Sequence, residues 1–175
     1  MKESLETNRL RIRAFTLEDA QDIFEIAGSP KVNQYMMYSQ YKNLEEVKEW
    51  IGKVEGKSRK LVFEKKNCGK VIGIGSIKFK NNRQAYELEY SINNKFWNQG
   101  YATEASKALI KWANQNMGAR KFFASHASGN LASARVLEKC GFSFLKNSHY
   151  QTFDNSKKFS SRIYQLILGQ EEKSK

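Results

Sequence analysis

The sequence predicts a mixed α/β fold formed by a single domain. The chain has 175 residues, of which 40% are hydrophobic and 13% aromatic, enough for one continuous core and too few to divide comfortably into two. Segments with a period of two, typical of strands, alternate with segments of helical period. No repeat or linker separates them. We therefore expect one domain over residues 1–169 and a frayed tail over 170–175.

The first third of the chain predicts one strand and two helices. Apolar residues alternate with arginines over 9–14, which indicates a half-buried strand. A helix is predicted over 17–27, because Thr16 and Asp19 have the spacing of an N-terminal cap. A second helix is predicted over 43–54, because its apolar residues share one face.

The middle of the chain predicts a hairpin, a further strand and a third helix. Strand-like segments over 61–65 and 71–80 are joined by turn residues at 67–70. Another strand is predicted over 87–92. The helix follows over 101–115, where apolar residues recur with helical spacing.

The last third predicts a strand, a fourth helix and an antiparallel pair of strands. The strand covers 122–125, and the helix covers 130–139 and ends at Gly141, because glycine is favoured just after a helix. The paired strands cover 142–146 and 161–168. The complete pattern contains seven strands and four helices.

The net charge leaves several classes of partner open. At +12, the chain creates a positive field that attracts phosphates, whether on a nucleotide, a nucleic acid or an acidic partner. The basic residues are spread along the chain, so solvated lysines are the simpler explanation. The strongest local cluster is Lys57, Arg59 and Lys60, at a predicted helix end, where cations favour the helix dipole.

The cysteines and the N-terminus exclude other classes. Cys68 and Cys140 are far apart and lack the paired spacing of a disulfide framework or a metal site. Residues 1–4 do not lead into the apolar segment of a signal peptide, and no apolar run has the length of a membrane span. We expect a cytoplasmic protein with no metal and no membrane association.

The turn from strand 87–92 into helix 101–115 carries the most specific chemistry. Gly100 and Ala102 are small enough for a phosphate to approach the backbone, and the free N–H groups of a helix start attract an anion. This arrangement predicts a loop that binds pyrophosphate, although such turns also occur without a ligand. Its glycine spacing differs from the Rossmann and P-loop motifs.

Four segments resemble the GNAT acetyltransferases. The stretch W-N-Q-G-Y-A-T-E-A, residues 97–105, resembles their acetyl-CoA pyrophosphate loop, and N-L-A-S-A-R-V-L-E-K-C-G-F, residues 130–142, resembles their second cofactor motif. L-E-T-N-R-L-R-I-R at 5–13 and E-L-E-Y at 87–90 are similar to the Rim-type branch, which includes ribosomal-protein N-terminal acetyltransferases. The joint occurrence of all four, in order along about the whole chain, is far more specific than any one.

The resemblance implies a fold and an activity. The GNAT fold has a central, mostly antiparallel twisted sheet of six to seven strands, flanked by about four helices, with two central strands splayed to bind CoA. The implied activity is an N-acetyltransferase in which a primary amine attacks acetyl-CoA directly.

The resemblance also assigns the cofactor contacts. Backbone N–H groups would bind the pyrophosphate, and Tyr90 and Ile92 would pair through their backbone with the pantetheine arm. Asn130 would hydrogen-bond the pantetheine and could cap its helix at the same time. The predicted pyrophosphate donors are Gln99, Gly100, Tyr101, Ala102 and Thr103.

Acetyl transfer needs a base, because an amine must be neutral to attack a thioester. We predict Glu87 as this base, since it lies in the strand beside the expected cofactor, with Glu89 as the alternative. Both share one face of the strand, whose orientation the sequence leaves open, and strand carboxylates are often simply solvated. Glu104, in the first turn of its helix, is expected to act as a partner of the helix dipole.

The group that protonates the leaving thiolate departs from the common pattern. Many GNAT enzymes use a tyrosine seven residues after the motif asparagine, where this chain has Leu137. The Rim-type branch offers a serine three residues after it, which predicts Ser133, although a plain helical serine is an equal alternative. A Rim-type glutamate base is matched only by Gln151, and His149 nearby is more simply an incidental loop residue.

The acceptor is open at the level of sequence. The resemblance places its pocket around Tyr35, Met36, Met37, Tyr38 and Tyr41. A protein N-terminus, for example of a ribosomal protein, or a small-molecule amine would suit this aromatic segment, and a polycation is disfavoured by the net charge. Two alternatives stand beside the enzyme, a non-catalytic acetyl-CoA sensor and a ribosome- or RNA-associated module. A monomer and a homodimer are both compatible with the sequence.

Overall fold

The computed structural model describes residues 4–54 and 60–169, apart from the side chain of Val54. Its described strands are β1 (Leu5–Glu6), β2 (Leu10–Ala14), β3 (Lys60–Lys65), β4 (Val71–Lys80), β5 (Ala85–Ile92), β6 (Lys121–Ala127), β7 (Ser143–Gln151) and β8 (Lys158–Ile167). They form one sheet in the order β1-β2-β3-β4-β5-β6-β8-β7. All neighbours are antiparallel except β5 and β6, so the sheet is mixed.

Helices cover both faces of this sheet. The helices of the described ranges are α1 (Ala20–Ala27), α2 (Pro30–Asn33), α3 (Leu44–Val54), α4 (Tyr101–Met117) and α5 (Leu131–Lys139). Buried residues of α1, α2 and α3 pack with Val62 and Val71 on one face. Those of α4 and α5 pack with Phe63 and Leu88 on the other. The first surface is called the α1–α3 face below, and the second the α4–α5 face.

The predicted elements are confirmed where the described residues cover them. The structure adds the two-residue strand β1 and the short helix α2, whose Pro30 occupies the first turn, where a missing N–H costs nothing. The last two strands run longer than predicted, over 143–151 and 158–167. Lys57, Arg59 and the tail 170–175 lie outside the described residues.

Three predicted features of the helix ends are confirmed. The backbone N–H of Thr16 donates to the carboxylate of Asp19 at 2.8 Å, as the cap spacing predicted. Gly141 has a φ of +87°, which an L side chain rarely adopts, and it ends α5. Phe142 then enters the core with 4% of its surface exposed.

Two glycines let one aromatic ring pack closely against the neighbouring strand. Phe63 of β3 packs over Gly73 and Gly75 of β4, where a Cβ atom at either position would overlap its ring. Added Cβ atoms would also lie 2.8 Å from the carbonyl oxygens of Ser91 and Glu89, respectively. The close approach of Phe63 therefore requires glycine at both positions.

The pairing of β5 with β6 is short, and this opens the sheet. The two strands pair in parallel at only two positions, Tyr86 with Phe122 and Glu87 with Phe123. Beyond Glu87 they no longer pair with each other, although each keeps its other neighbour. The predicted splay of the strand that carries Tyr90 and Ile92 is confirmed.

Strand alternation assigns the side chains of β5 to the two faces. Ser91 pairs with Ile74, which packs against the α1–α3 face, so Glu87 and Glu89 point to that face. Tyr90 and Ile92 point to the α4–α5 face. The register therefore settles the orientation that the sequence left open.

None of the helices in the described ranges combines the length and the apolar character needed to cross a membrane.

Candidate active site

The loop between β5 and α4 adopts an unusual backbone. After a short turn at Asn94–Phe96, Asn98 and Gly100 have φ angles of 60° and 81°. The indole Nε1 of Trp97 donates to the carbonyl oxygen of Ile92 at 2.8 Å and ties the loop to the end of β5. Trp97 therefore anchors the loop, although it lacks the polar side chain common at this position in the resembled family.

Five consecutive backbone donors at this loop are unused. The first helical bond of α4 runs from the N–H of Glu104 to the carbonyl of Gly100 at 3.0 Å. The N–H groups of residues 99–103 have no acceptor among the described residues. Because they lie at the positive end of a helix of 17 residues, they form a site suited to an anion. These are the five donors predicted from the sequence.

Arg9 holds this loop from the other end of the chain. Its Nη1 donates to the carbonyl oxygen of Gln99 at 3.0 Å, and its Nε donates to Glu104 Oε2 at 2.7 Å. Its guanidinium also lies 4.2 Å from the ring centroid of Tyr101. The alternation over 9–14 indicated only that Arg9 lies on the polar face of a half-buried strand, and no local signal links residues 90 positions apart.

Glu104 completes the connection between β1–β2 and α4. Its Oε1 accepts hydrogen bonds from Thr7 Oγ1 at 2.6 Å and from the backbone N–H of Arg9 at 2.9 Å. Partial burial would raise the pKa of Glu104, but the bonds from Thr7 and Arg9 outweigh it and lower that pKa. The carboxylate is therefore ionised in the first turn of α4, where it also favours the helix dipole.

Asn130 caps α5 beside the open part of the sheet. Its side-chain Oδ1 accepts a hydrogen bond from the backbone N–H of Ser133 at 3.2 Å. The cap role that was predicted for Asn130 is thus present in the structure. Its side-chain amide N–H groups have no acceptor among the described residues, so they are available to a ligand.

Tyr90 and Ser133 meet across the α4–α5 face. The phenol oxygen of Tyr90 lies 2.8 Å from Ser133 Oγ and 3.2 Å from the carbonyl oxygen of Ser133. Burial raises the pKa of Tyr90 well above its ordinary value, more than the bond to Ser133 lowers it. The sequence pointed to each residue separately, but 43 positions separate them and only the fold joins their hydroxyl groups.

Glu87 occupies the last position at which β5 pairs with β6. Its carboxylate lies 3.0 Å from the Nζ of Lys80, and 20% of its side chain is exposed. The hydrogen bond that Lys80 donates to Glu87 raises the pKa of Lys80. Arg83 and Phe123 line the same shallow pocket. The predicted base is therefore held in an ion pair at the edge of the opening.

Glu89 lies two residues further along the same face, inside the opening. Its carboxylate accepts a hydrogen bond from Ser76 Oγ and lies 3.5 Å from Lys60 Nζ and 3.4 Å from Lys78 Nζ. Partial burial would raise the pKa of Glu89, but Lys60, Ser76 and Lys78 together lower it. The side chain is 41% exposed, so a ligand can reach it.

The comparison with protein families decides the family of this chain. Residues 9–143 match the model described as an acetyltransferase (GNAT) domain, and this range contains Arg9, the loop, the open strands and the start of α5. The chain belongs to the GNAT acetyltransferase family. It is therefore an acyltransferase by family, as the resemblance of its motifs predicted.

Relatives and solved structures agree with the GNAT assignment. The chain is 27% identical over 140 residues to the uncharacterized N-acetyltransferase YnaD of Bacillus subtilis, covering 77% of this chain and 79% of YnaD. The RimL ribosomal L7/L12 N-protein acetyltransferase, in complex with coenzyme A, superposes with a TM-score of 0.78 at 17% identity, covering 95% and 98% of the two chains. Spermidine N-acetyltransferase from Vibrio cholerae, in complex with CoA and spermine, superposes with a TM-score of 0.77 at 16% identity. The match covers 92% of this chain and 96% of the spermidine enzyme.

The residues of this GNAT chain fit acetyl-CoA. The five free N–H groups at the start of α4 match the acceptors of a pyrophosphate, and glycine at position 100 keeps the approach to them open. The unpaired edge of β5 beyond Glu87 offers backbone groups to a chain with amides, as the pantetheine arm has. Both features lie on one continuous segment, from β5 into α4.

Leu137 differs from the catalytic tyrosine common in the GNAT family. It has 1% of its surface exposed and belongs to the apolar core under α5. Gln151 stands where the Rim-type pattern has a glutamate, and it is exposed on the edge strand β7. His149 is exposed on the same strand, so the prediction that it lies in a loop is wrong. Gln151 donates through its Nε2 to Asn155 Oδ1 at 2.7 Å.

The aromatic segment predicted to form the acceptor pocket lies between α2 and α3. Partial burial, with the charges of Tyr41 and Glu89, raises the pKa of Tyr38 to about 12, so this half-buried phenol stays neutral. The neighbouring Met37 meets the turn between β7 and β8, where the N–H of Phe153 donates to the carbonyl of Met37 at 2.7 Å. Tyr38 thus interacts electrostatically with Glu89, and Met37 contacts the β7–β8 turn.

Proposed function

We propose that this GNAT enzyme transfers the acetyl group of acetyl-CoA to a primary amine that attacks the thioester directly. The observation that carries the proposal is the two-sided opening beyond Glu87. One side leads to the unused N–H groups of 99–103 and to Asn130, and the other presents Glu89 and the aromatic segment around Tyr38. Donor and acceptor can therefore meet from opposite faces of the sheet.

The cofactor side of the proposal uses backbone groups and one amide. The N–H groups of residues 99–103 bind the pyrophosphate, and the backbone of Tyr90 and Ile92 binds the pantetheine arm. Asn130 contributes the N–H groups of its side-chain amide while its Oδ1 caps α5. Bound acetyl-CoA supplies an activated acetyl thioester, and these residues orient it.

Two carboxylates are candidates for the base. Glu87 is ion-paired with Lys80 at the last paired position of the strand, whereas Glu89 lies within the opening and near Tyr38. The position of Glu89 in the opening favours it as the base. Its lowered pKa keeps the carboxylate ionised and able to accept a proton, although it makes Glu89 a weaker base. We propose that one of them, directly or through water, takes the proton of the attacking amine.

Ser133 is the proposed donor to the leaving thiolate. Its hydroxyl lies in the first turn of α5, whose backbone is fixed by the cap from Asn130. Leu137 is buried and apolar, so it cannot donate a proton.

The charges around Glu89 favour an acceptor with one amine over a polyamine. Lys60 and Lys78 lie within 3.5 Å of its carboxylate and partly neutralise it. A polycation needs several free carboxylates, and the net charge of +12 repels it further. We therefore propose a peptide N-terminus, for example of a ribosomal protein, or a small amine of low charge, encountered in the cytoplasm.

Free-thiol release from acetyl-CoA tests the proposal. Wild type is assayed with N-terminal peptides, amino acids, aminoglycosides and polyamines, beside Glu87→Gln and Glu89→Gln. We expect turnover that depends on a peptide or small amine, and a loss of kcat in one of the two variants of about 10²-fold or more. Tight acetyl-CoA binding with no turnover on any acceptor would instead support the non-catalytic sensor.

A ribosome- or RNA-associated role is compatible with this enzyme and is favoured by its charge of +12. Binding to ribosomes or RNA that weakens steeply between about 50 and 200 mM salt would support it. Binding that is absent at low salt would leave the charge as a property of the solvated surface.

A further inference from the structure

The pair formed by Tyr90 and Ser133 has chemistry that neither residue has alone. Ser133 Oγ and the Tyr90 phenol are 2.8 Å apart, and either oxygen can be the donor. A phenol carries a single proton, which can go to Ser133 Oγ or to the Ser133 carbonyl oxygen at 3.2 Å. When Tyr90 donates to Oγ, the hydroxyl proton of Ser133 is free to point elsewhere.

The surroundings keep this pair intact. Tyr90 is held by the strand β5 and Ser133 by the cap from Asn130, so neither hydroxyl needs to move to keep the bond. The raised pKa of Tyr90 keeps its phenol protonated through the neutral range. Cys140 is the titratable neighbour that acts on it electrostatically, and burial raises the pKa of Cys140 to about 11, so this thiol is neutral as well.

We propose that Tyr90 is a positioning residue for acetyl transfer, which orients the Ser133 hydroxyl toward the leaving sulfur and replaces the proton that Ser133 gives up. This inference rests on the proposed function. It assigns to a tyrosine of the sheet the supply of a proton at the first turn of α5, because the buried Leu137 provides none.

The proton steps balance as follows. The amine nitrogen forms a bond to the carbonyl carbon, and the bond from that carbon to sulfur breaks. Ser133 gives its hydroxyl proton to the departing sulfur and takes the phenol proton of Tyr90. Tyr90 regains a proton from water, while the proton of the attacking amine leaves through the base.

The first experiment compares Tyr90→Phe, Ser133→Ala and the double variant. Tyr86→Phe is the matched control, because Tyr86 lies on the same strand and face but its phenol makes no hydrogen bond among the described residues. We expect Tyr90→Phe to lower kcat about 10- to 100-fold with little change in the KM for acetyl-CoA. The double variant should be no slower than Ser133→Ala, because the two groups act as one unit.

A second measurement separates proton supply from simple packing. Replacing Tyr90 by 3,5-difluorotyrosine lowers the phenol pKa without removing the hydroxyl, so the alkaline limb of kcat should move to lower pH. Cys140→Ser, measured in parallel, identifies any contribution of the neighbouring thiol to that limb. A structural role of Tyr90 predicts an unchanged pH profile.

The outcomes distinguish this proposal from the proposed function. If wild type is active and Tyr90→Phe keeps its full kcat, the pairing is overturned while the proposed acetyl transfer is retained. Additive losses of kcat in the double variant would have the same meaning. Full activity of Ser133→Ala would do the same. Absence of wild-type turnover on every acceptor would overturn both.

Discussion

The guanidinium of Arg9 lies 2.7 Å from the carboxylate of Glu104, although 95 positions separate the two residues. The same guanidinium donates to the carbonyl oxygen of Gln99 and stacks over Tyr101. Residues near the N-terminus therefore hold the loop whose free N–H groups are the proposed pyrophosphate site. This relationship gives the turn between β1 and β2 a role in the site.

Removing the side chain of Arg9 should weaken cofactor binding. Arg9→Ala deletes a charged hydrogen-bond donor from the loop, so the Kd for acetyl-CoA should rise about 5- to 30-fold, or about 1–2 kcal/mol. Isothermal titration measures this directly. Arg11→Ala is the control, because Arg11 of β2 pairs with Glu6 of β1 and Glu64 of β3 and has no bond to the loop among the described residues. Equal losses in the two variants would contradict a specific role for Arg9.

The ion pair also predicts a loss of stability in acid. The folded-state pKa of Glu104 lies below its ordinary value of 4.5, so the unfolded chain binds the proton more readily. Its contribution is complete above about pH 4.5 and is lost as the pH falls through the folded-state pKa. Denaturant unfolding from pH 7 to pH 3 should therefore show a shallower acid dependence in Glu104→Gln, which is already less stable at pH 7.

The control for this pH series is Glu49→Gln. Glu49 is 71% exposed and lies 3.6 Å from Lys53 on the surface of α3, so its removal should change the free energy of unfolding by less than about 0.5 kcal/mol. If the free energy of unfolding of Glu104→Gln depends on pH as it does in wild type, the ion pair of Arg9 and Glu104 contributes no pH-dependent stability.

Substitutions at Asn130 should separate its two roles. Asn130→Ala removes the cap on the Ser133 N–H and should cost about 1 kcal/mol of stability. Asn130→Ser keeps a capping oxygen but removes the amide N–H groups, so stability should be retained while the KM for acetyl-CoA rises. Thermal unfolding and initial rates measure the two effects. A normal KM in Asn130→Ser would confine Asn130 to capping.

Two glycines should respond to alanine in opposite directions. A Cβ atom at Gly75 would overlap Phe63 and the carbonyl of Glu89, so Gly75→Ala should destabilise the protein by about 1–3 kcal/mol. A Cβ atom at Gly52 of α3 meets nothing within 4 Å, and Gly52→Ala should stabilise it by about 0.5–1 kcal/mol. Unfolding in urea measures both. A stable Gly75→Ala variant would mean that Phe63 can move off the strand.

Much of the fold and of the cofactor loop could be predicted because both depend on local rules. The spacing of hydrophobic residues along the chain identified the long helices and strands. The ends of α5 were marked by the cap at Asn130 and by Gly141. The loop 97–103 was predicted for the same reason, since free N–H groups are a property of any helix start. Short elements such as β1 and α2 were missed, because two to four residues contain too little periodicity.

The rest of the site could not be predicted, because it depends on which strands are neighbours. The face of Glu87 and Glu89 follows from the register of β5 on β4, and a shift of one residue would reverse it. The lysines beside Glu89 come from β3 and β4, which only the sheet order brings together.

The sequence by itself determined the order of helices and strands, the family and the loop suited to a phosphate. The tertiary structure decided the pairs that complete the site, Arg9 with Glu104 and Tyr90 with Ser133. The physical reason is the separation along the chain of the residues that interact. Caps, turns and periodicity act over a few residues, whereas contacts across 43 to 95 positions exist only after the sheet has assembled its strands and placed α4 and α5 upon it.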